Sequence, residues 1–441
     1  MLPQGNIQAA ETASAPSATG RRRRSIVTGI ASMLRATIER HGFLIYGPAT
    51  ALIFKKLFFP AFDPAVGMLA AFATCAIGSF ARPVSGIVFG HFGDPVARKS
   101  MFLLTLVLMG VPTIAIGLAL TCARIGYRAA VRLALSHIVR GLTTAGQWGG
   151  GATMAVEHAP PRKKGLSRAL LQAGAAPGLM LSSLAIAMAI HLPAAEIRYW
   201  DWLVPLLLSV VLPLIGWFIR DRLPTVPDLG STNKRRAAVK APVVKVILEH
   251  PIALLKVAGA RLVEVTWFYV TANFALSYGT VQLGLAKPLI LNAIICGVVV
   301  ACVLIPLAGA LGDKIGHRRV FAAGALGVAG FGFVFFELLA AGSEWQIYLA
   351  IVGALGVIYP LVYGPEVNLF LAQFPPELRY SGILLAVQVT GTFGDGLAPI
   401  IASRLLAKGS GNPTLIAVYL GILGIVGCVS ALSMKEKART A

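Results

Sequence analysis

The sequence is short of charge, and shorter still of acid. Only 13% of its 441 residues are Asp, Glu, Lys or Arg, about half the share that a soluble protein carries. With 56% hydrophobic residues and a mean hydropathy of +0.76, that shortage excludes an ordinary soluble domain of this length. Cysteine is scarce as well. Cys75, Cys122, Cys296, Cys302 and Cys428 are scattered without metal-ligand or redox spacing. They read as small packing residues, and no metal site or cofactor is expected. No G-x-x-x-x-G-K-[ST] loop is present, which argues against nucleotide hydrolysis as an energy source. No nucleophile–base constellation stands out either, which argues against an enzyme. Residues 1–24 are polar, rich in Ala, Ser and Pro, and end in Arg21 to Arg24. They read as a disordered basic tail rather than a cleavable leader.

What the chain has in quantity is apolar run. A spanning helix needs about 20 such residues, and twelve runs of that order can be placed. The first six are 26–54, 65–89, 101–121, 130–156, 166–192 and 202–219. The second six are 252–278, 289–311, 320–341, 345–372, 381–407 and 414–434. Backbone in lipid must satisfy its own polar groups, and these runs are too long and continuous for barrel strands. The expected class is all-α, a polytopic membrane protein of two six-helix bundles. The bundles cover 25–219 and 251–435, joined by a linker at 220–250 and followed by a short tail at 436–441.

The 39 bases against 18 acids give a formal net charge of +21, which by itself would suit nucleic acid. Placement decides otherwise. The bases gather in alternate loops: Arg98-Lys99, Arg162 to Lys164, Lys234 to Lys245, Lys314 to Arg319 and Lys435 to Arg439. Glu196, Asp201 and Glu344 lie in the intervening loops, with Arg124 and Arg128 as the exception. That alternation is the positive-inside pattern, with both termini cytoplasmic. A nucleic-acid surface would instead be one contiguous basic face. The partners expected are membrane lipid and a small solute, with no nucleic acid and a monomeric chain.

The chain is also duplicated. GIVFGHFGDPVARKS, with Gly90, Asp94, Arg98 and Lys99, returns as GALGDKIGHRRV, with Gly309, Asp313, Lys314 and Arg318. Both Gly90 to Gly309 and Asp94 to Asp313 are separated by 219 residues (309 − 90 and 313 − 94). Pro160-Pro161 answers Pro375-Pro376, and Pro177 answers Pro399. Such a repeat in an apolar chain predicts two related bundles about an axis along the membrane normal.

At these residues the chain resembles the major facilitator superfamily, whose loop between helices 2 and 3 reads G-x-x-x-D-[RK]-x-G-[RK]-[RK] and recurs between helices 8 and 9. The strings FARPVSGIVFGHFGD, GQWGGGATMAVEHAP, RLVEVTWFYVTANFALSYGT and FPPELRYSG resemble its metabolite:proton symporter branch, the second half most of all its shikimate transporters. The resemblance runs from about Ser25 to Lys435. It implies secondary transport with proton coupling, in the inner membrane of a bacterium, and gating at the two loops by Asp94 and Asp313. The chain departs from the pattern at Pro95, Ala97 and His317 in those loops. It departs also at Gly42, Gln147 and Leu203, where that branch shows an acid, a glutamate and an arginine.

Ionisable residues inside the runs carry the remaining signal. Arg35, Glu39, Arg40 and His41 stand near the middle of span 1. An ionised residue there costs about 3 kcal/mol against about 0.5 gained per Leu or Ile, so the charged side chains must face the bundle interior. Arg35 and Glu39 are spaced i,i+4, and Arg261 and Glu264 on span 7 are spaced i,i+3. Either can be a packing pair, or a proton-taking carboxyl beside an arginine that meets an anion. The candidate cavity set is Glu39, Arg40, Arg140, Gln147, Trp148, Arg261, Glu264, Tyr363 and Asp395. Glu39 or Asp395 is the expected proton site, and Arg40, Arg140 or Arg261 the anion partner. Glu366, beside Pro365, is either a cavity acid or part of a helix break, while His41 and His137 read as packed histidines. The function expected is proton-coupled symport of a small organic anion, shikimate-like or a dicarboxylate. A zwitterion or osmolyte symporter, an uncoupled transporter and a non-transporting binding or sensor protein stay open beside it.

Overall fold

In a computed structural model the chain is described over residues 77–93, 126–157, 164–190 and 242–436, with positions 33, 37, 41, 58, 59, 70, 73, 74, 111 and 112. Span 6, most of spans 1 and 3 and the first loop motif beyond Gly93 lie outside the described residues. All regular structure described is helical. Five helices there are long and apolar enough to cross a membrane: Lys287–Ile315, His317–Ala340, Glu344–Leu371, Arg379–Lys408 and Thr414–Leu432.

Span 8 shows how the sequence makes such a helix. Lys287–Ile315 opens with Pro288 in its first turn, where a missing N–H costs nothing. At about 1.5 Å per residue it exceeds a hydrocarbon core of about 30 Å. Ile295, Val299, Val303, Leu307, Leu311 and Ile315 recur every fourth residue and are exposed, a stripe fit for lipid. The opposite face, including Gly297, Ala301, Ile305, Ala308 and Gly309, is buried against spans 5 and 10. A Cβ on Gly364 of span 10 would stand 2.7 Å from the Ile305 carbonyl oxygen, so glycine alone permits this crossing.

The second loop motif differs from the sequence reading. Asp313 and Lys314 are helical, because span 8 runs on to Ile315 and span 9 begins at His317. Gly316, at φ 104°, is the whole of the break, since L side chains rarely adopt that backbone. The linker read over 220–250 ends in a helix, Pro242–Glu249, that packs on spans 2 and 11. Span 5 is two helices, Lys164–Ala173 and Ala175–Ile190, on either side of Gly174.

Three spans of the second half contain π-helical turns: Val270–Phe274 in span 7, Val352–Ile358 in span 10 and Thr392–Leu397 in span 11. Two of them precede a proline, Pro360 and Pro399. A proline ring has no N–H for the carbonyl four residues back and crowds it, so the helix widens by one residue. For Pro399 that carbonyl belongs to Asp395.

The two halves meet along two seams. Helix Arg82–Gly93 of span 2 packs against Arg379–Gly391 of span 11, and Lys164–Ala173 of span 5 packs against span 8 and Tyr359–Leu371. Both seams lie at the end of the bundle where span 8 meets span 9 and span 10 meets span 11.

Candidate functional site: buried charge inside the bundle

The interior of the second half holds a three-residue charge set. Arg261 and Glu264, one helical turn apart on Pro251–Tyr269, form an ion pair at 2.5 Å. Arg261 Nη1 also donates to both oxygens of Glu366 on span 10, at 2.8 and 3.0 Å. All three are buried, Glu366 completely. A lone buried charge costs several kcal/mol, so each member holds the others in place. When all are ionised, the set carries one surplus negative charge. Tyr359 and Tyr363 stack at 4.9 Å within electrostatic range of the guanidinium. Trp267 closes the layer with Nε1 donating to the Ala354 carbonyl at 3.0 Å, beside the π-helical turn of span 10.

A second buried pair joins the halves. Arg82 of span 2 donates through Nη1 to Asp395 Oδ2 in the π-helical turn of span 11, 313 residues away. Beside it, Thr392 Oγ1 donates to the Ser79 carbonyl at 2.9 Å. A Cβ on Gly396 would reach Ser79 Cβ at 3.4 Å, so the backbones are close here too. Gly394 sits against Val265 of span 7, which brings Asp395 within electrostatic reach of Arg261.

Farther along the same end, Asp313 Oδ2 accepts the backbone N–H of Leu166 at the start of span 5, at 3.1 Å. Its other oxygen faces His317 Nε2 at 3.4 Å. Lys435 and Glu436 are tied to the same corner. His317 N–H donates to Glu436 at 2.6 Å, and Gln373 exchanges hydrogen bonds with the Lys435 backbone at 2.8 and 2.9 Å.

Of the sequence candidates, Arg261, Glu264, Tyr363 and Asp395 therefore come together, and Arg140 is buried on Arg128–Glu157 of span 4. Neither Arg140 nor Arg261 turns to the lipid side. Gln147 and Trp148 continue that span 4 helix, with side chains outside the described set. Glu39, Arg40, Asp94, Arg98 and Lys99 lie outside the described residues. Gly90 is within helix Arg82–Gly93, and Gly309 lies on the buried face of span 8. Lys314 is exposed, and Arg318 reaches the Met434 carbonyl at 3.4 Å. His41 is packed as read, its carbonyl accepting from Ser182 Oγ at 3.0 Å. Two participants were not foreseen in these roles. Glu366 sits on the cation that the spacing had given to Glu264 alone, and Arg82, in the string FARP, is the partner of Asp395. No group of three or more metal-ligating side chains occurs among the described residues.

Comparison with known proteins agrees with this architecture. The family model described as Major Facilitator Superfamily matches residues 42–399. The shikimate transporter of Escherichia coli K12 is 34% identical, over 93% of this chain and 94% of its own length. A proline/betaine transporter of Salmonella typhimurium is 27% identical over 92% of this chain and 83% of its own. Among solved structures, the proton:xylose symporter XylE bound to 6-bromo-6-deoxy-D-glucose superposes with a TM-score of 0.72 at 16% identity, over 93% of this chain and 95% of that one. The chain is a multi-pass membrane transporter rather than an enzyme, and it belongs to the Major Facilitator Superfamily.

Proposed function

We propose that this protein is a proton-coupled symporter of a small organic carboxylate, shikimate-like or a dicarboxylate, working by alternating access across an inner membrane. The observation that carries the reading is the burial of ionisable side chains on the inner faces of spans 4, 7, 10 and 11 (Arg140, Arg261, Glu264, Glu366 and Asp395) in a bundle whose described outer faces are largely apolar. Charge in that position is unfavourable for folding alone and is kept where a solute or ion path runs. Arg140, or the Arg40 that the sequence offers as an alternative, suits a carboxylate through its forked donors. Arg261 is taken up by two carboxylates and serves to hold them. Similarity to the shikimate transporter of Escherichia coli K12 supports the solute class.

The end closed by the two seams carries Lys164, Lys314 to Arg319 and Lys435. By the positive-inside pattern it is cytoplasmic, and the arrangement is then closed to the cytoplasm, as a monomer with both termini inside. The test is uptake into proteoliposomes of shikimate, 2-oxoglutarate and betaine, each with and without an inward-directed proton gradient. Shikimate or 2-oxoglutarate accumulating only with the gradient is the expected result. Flux indifferent to the gradient would leave an uncoupled transporter, and no flux of any solute would leave a binding or sensor protein. A second reading, symport of a zwitterion, draws on the similarity to the proline/betaine transporter of Salmonella typhimurium. Betaine or proline displacing the organic acids would select it.

A further inference from the structure

The two buried charge sets differ in one respect that alternating access makes decisive. Arg261, Glu264 and Glu366 all belong to the second half, so rocking of the halves leaves them together. Arg82 and Asp395 belong to different halves, and any motion that opens the cytoplasmic end along spans 2 and 11 must part them. Building on the symport reading above, we propose that Asp395 is the carboxyl that carries the coupling proton, and that the Arg82–Asp395 bond is the latch that its protonation releases.

Three features support the assignment. The first is position along the seam. Contacts between span 2 and Arg379–Gly391 fill the cytoplasmic end, and Asp395 lies at the inner limit of that contact with Ser79, Thr392 and Gly396. A proton arriving from the opposite face meets this carboxyl before the seam opens, and the opened seam then exposes it to the cytoplasm. The second is chemistry. A guanidinium stays charged at any accessible pH, so the carboxyl is the only member of the pair that can change state. In the closed form the carboxylate is held by Arg82; the proton binds its oxygen, the ion pair becomes a neutral acid beside a cation, and the halves lose their charge attraction. The third is spare acceptor capacity. Asp395 Oδ1 is buried with no hydrogen-bond partner among the described residues, so one oxygen is open to a proton while the other still contacts Arg82.

Among the described residues, charged and titratable groups come toward Asp395 and its helix from three spans. Arg82 comes from span 2, and Arg261 and Glu264 come from span 7, which packs on the Thr392–Leu397 turn. His137 and Arg140 come from span 4, which packs on the neighbouring Arg379–Gly391. Glu264 is paired with Arg261 on its own helix, and the bond of Arg82 to Asp395 crosses the seam.

The experiment uses the full chain in proteoliposomes, its five cysteines replaced by serine. The pair Ser79→Cys and Gly396→Cys reports closure of the seam by disulfide formation, since the Cβ separation suits that bond. With Asp395 intact, crosslinking by an added thiol oxidant, taken relative to a reference cysteine pair within one half so that the pH dependence of thiolate formation cancels, should be high at pH 8 and fall roughly tenfold at pH 5, a shift of about 1.4 kcal/mol in the closing equilibrium. Asp395→Asn should crosslink weakly at both pH values, and Asp395→Glu, which keeps the carboxyl, should restore the pH dependence. Shikimate uptake by Asp395→Asn should lose gradient-driven accumulation and keep counterflow. Unchanged pH dependence of crosslinking in Asp395→Asn overturns the latch, and so does accumulation persisting in that variant, both while the symport reading stands. A parent protein that accumulates nothing on the gradient, yet whose crosslink still falls with pH through Asp395, keeps the latch and removes the symport reading.

Discussion

Arg261 and Arg82 are both buried, and both meet carboxylates inside a membrane protein, yet their surroundings ask opposite things of them. Arg261 faces Glu264 on its own helix and Glu366 on a neighbour in the same half. Arg82 faces one carboxylate across the boundary between halves. The first arrangement is over-determined, with two acids on one base and no relative motion to break it. The second spans the boundary where motion must occur. Burial alone does not distinguish a structural charge from a working one; the side of the seam on which the partner stands does.

The strongest way to break this comparison is to remove the shared cation. Arg261→Met takes away the cation that buried Glu264 and Glu366 share, and breaking a buried pair from one side costs roughly 3–5 kcal/mol. Folded protein recovered in detergent and its thermal midpoint should both fall sharply. Adding Glu264→Gln and Glu366→Gln should restore much of the loss. A stable Arg261→Met would show that the set does not hold spans 7 and 10 together.

Arg82→Gln is the matched change at the seam and should cost less stability. Opening of the seam lets water reach Asp395, so the stranded carboxylate escapes the full penalty of burial. The predicted effect, on the order of 1–2 kcal/mol, appears in the balance of states. The Ser79→Cys and Gly396→Cys crosslink should weaken roughly tenfold while the thermal midpoint moves little. Equal loss of stability in Arg82→Gln and Arg261→Met would erase the distinction between the sets.

Much of this architecture is readable from the chain. Spans of about 20 apolar residues and the repeat of Gly90 and Asp94 at Gly309 and Asp313 carry the fold. The Arg261–Glu264 pair is visible from i,i+3 spacing alone. Glu366 is not, because a helix neighbour in space leaves no spacing signal and Pro365 offers a rival account of the acid. Arg82–Asp395 is invisible for the same reason, at a separation of 313 residues. The second motif misleads in another way. Its polar residues read as a loop, whereas Asp313 and Lys314 stay helical and one glycine makes the turn. Polarity marks where a helix leaves the membrane, and backbone geometry decides where it ends.

The outer part of the seam gives a milder test. Asp313 contributes a charged acceptor to the Leu166 N–H from half-exposed surroundings, which brings its worth down to about 1 kcal/mol. Asp313→Asn should therefore lower closure about fivefold, less than Arg82→Gln does, as read by maleimide labelling of a cysteine placed in the closed seam. An effect larger than that of Arg82→Gln would move the main latch outward from span 11 to the turn between spans 8 and 9.

The smallest effect is expected beside the latch itself. Thr392 Oγ1 donates to the Ser79 carbonyl across the seam at 2.9 Å and also lies 3.3 Å from the Gln388 carbonyl on its own helix. Its hydroxyl thus keeps a local acceptor when the halves part, so the crossing bond contributes little more than about 0.5 kcal/mol to closure. Thr392→Val, close in shape, should lower the crosslink by about twofold and leave its pH dependence in place. A neutral bond at the same point of the seam shifts the balance of states without making it answer to protons, whereas the neighbouring carboxylate does both. If Thr392→Val flattened the pH dependence as Asp395→Asn is expected to, the response would belong to the packing of the π-helical turn rather than to the titration of its acid.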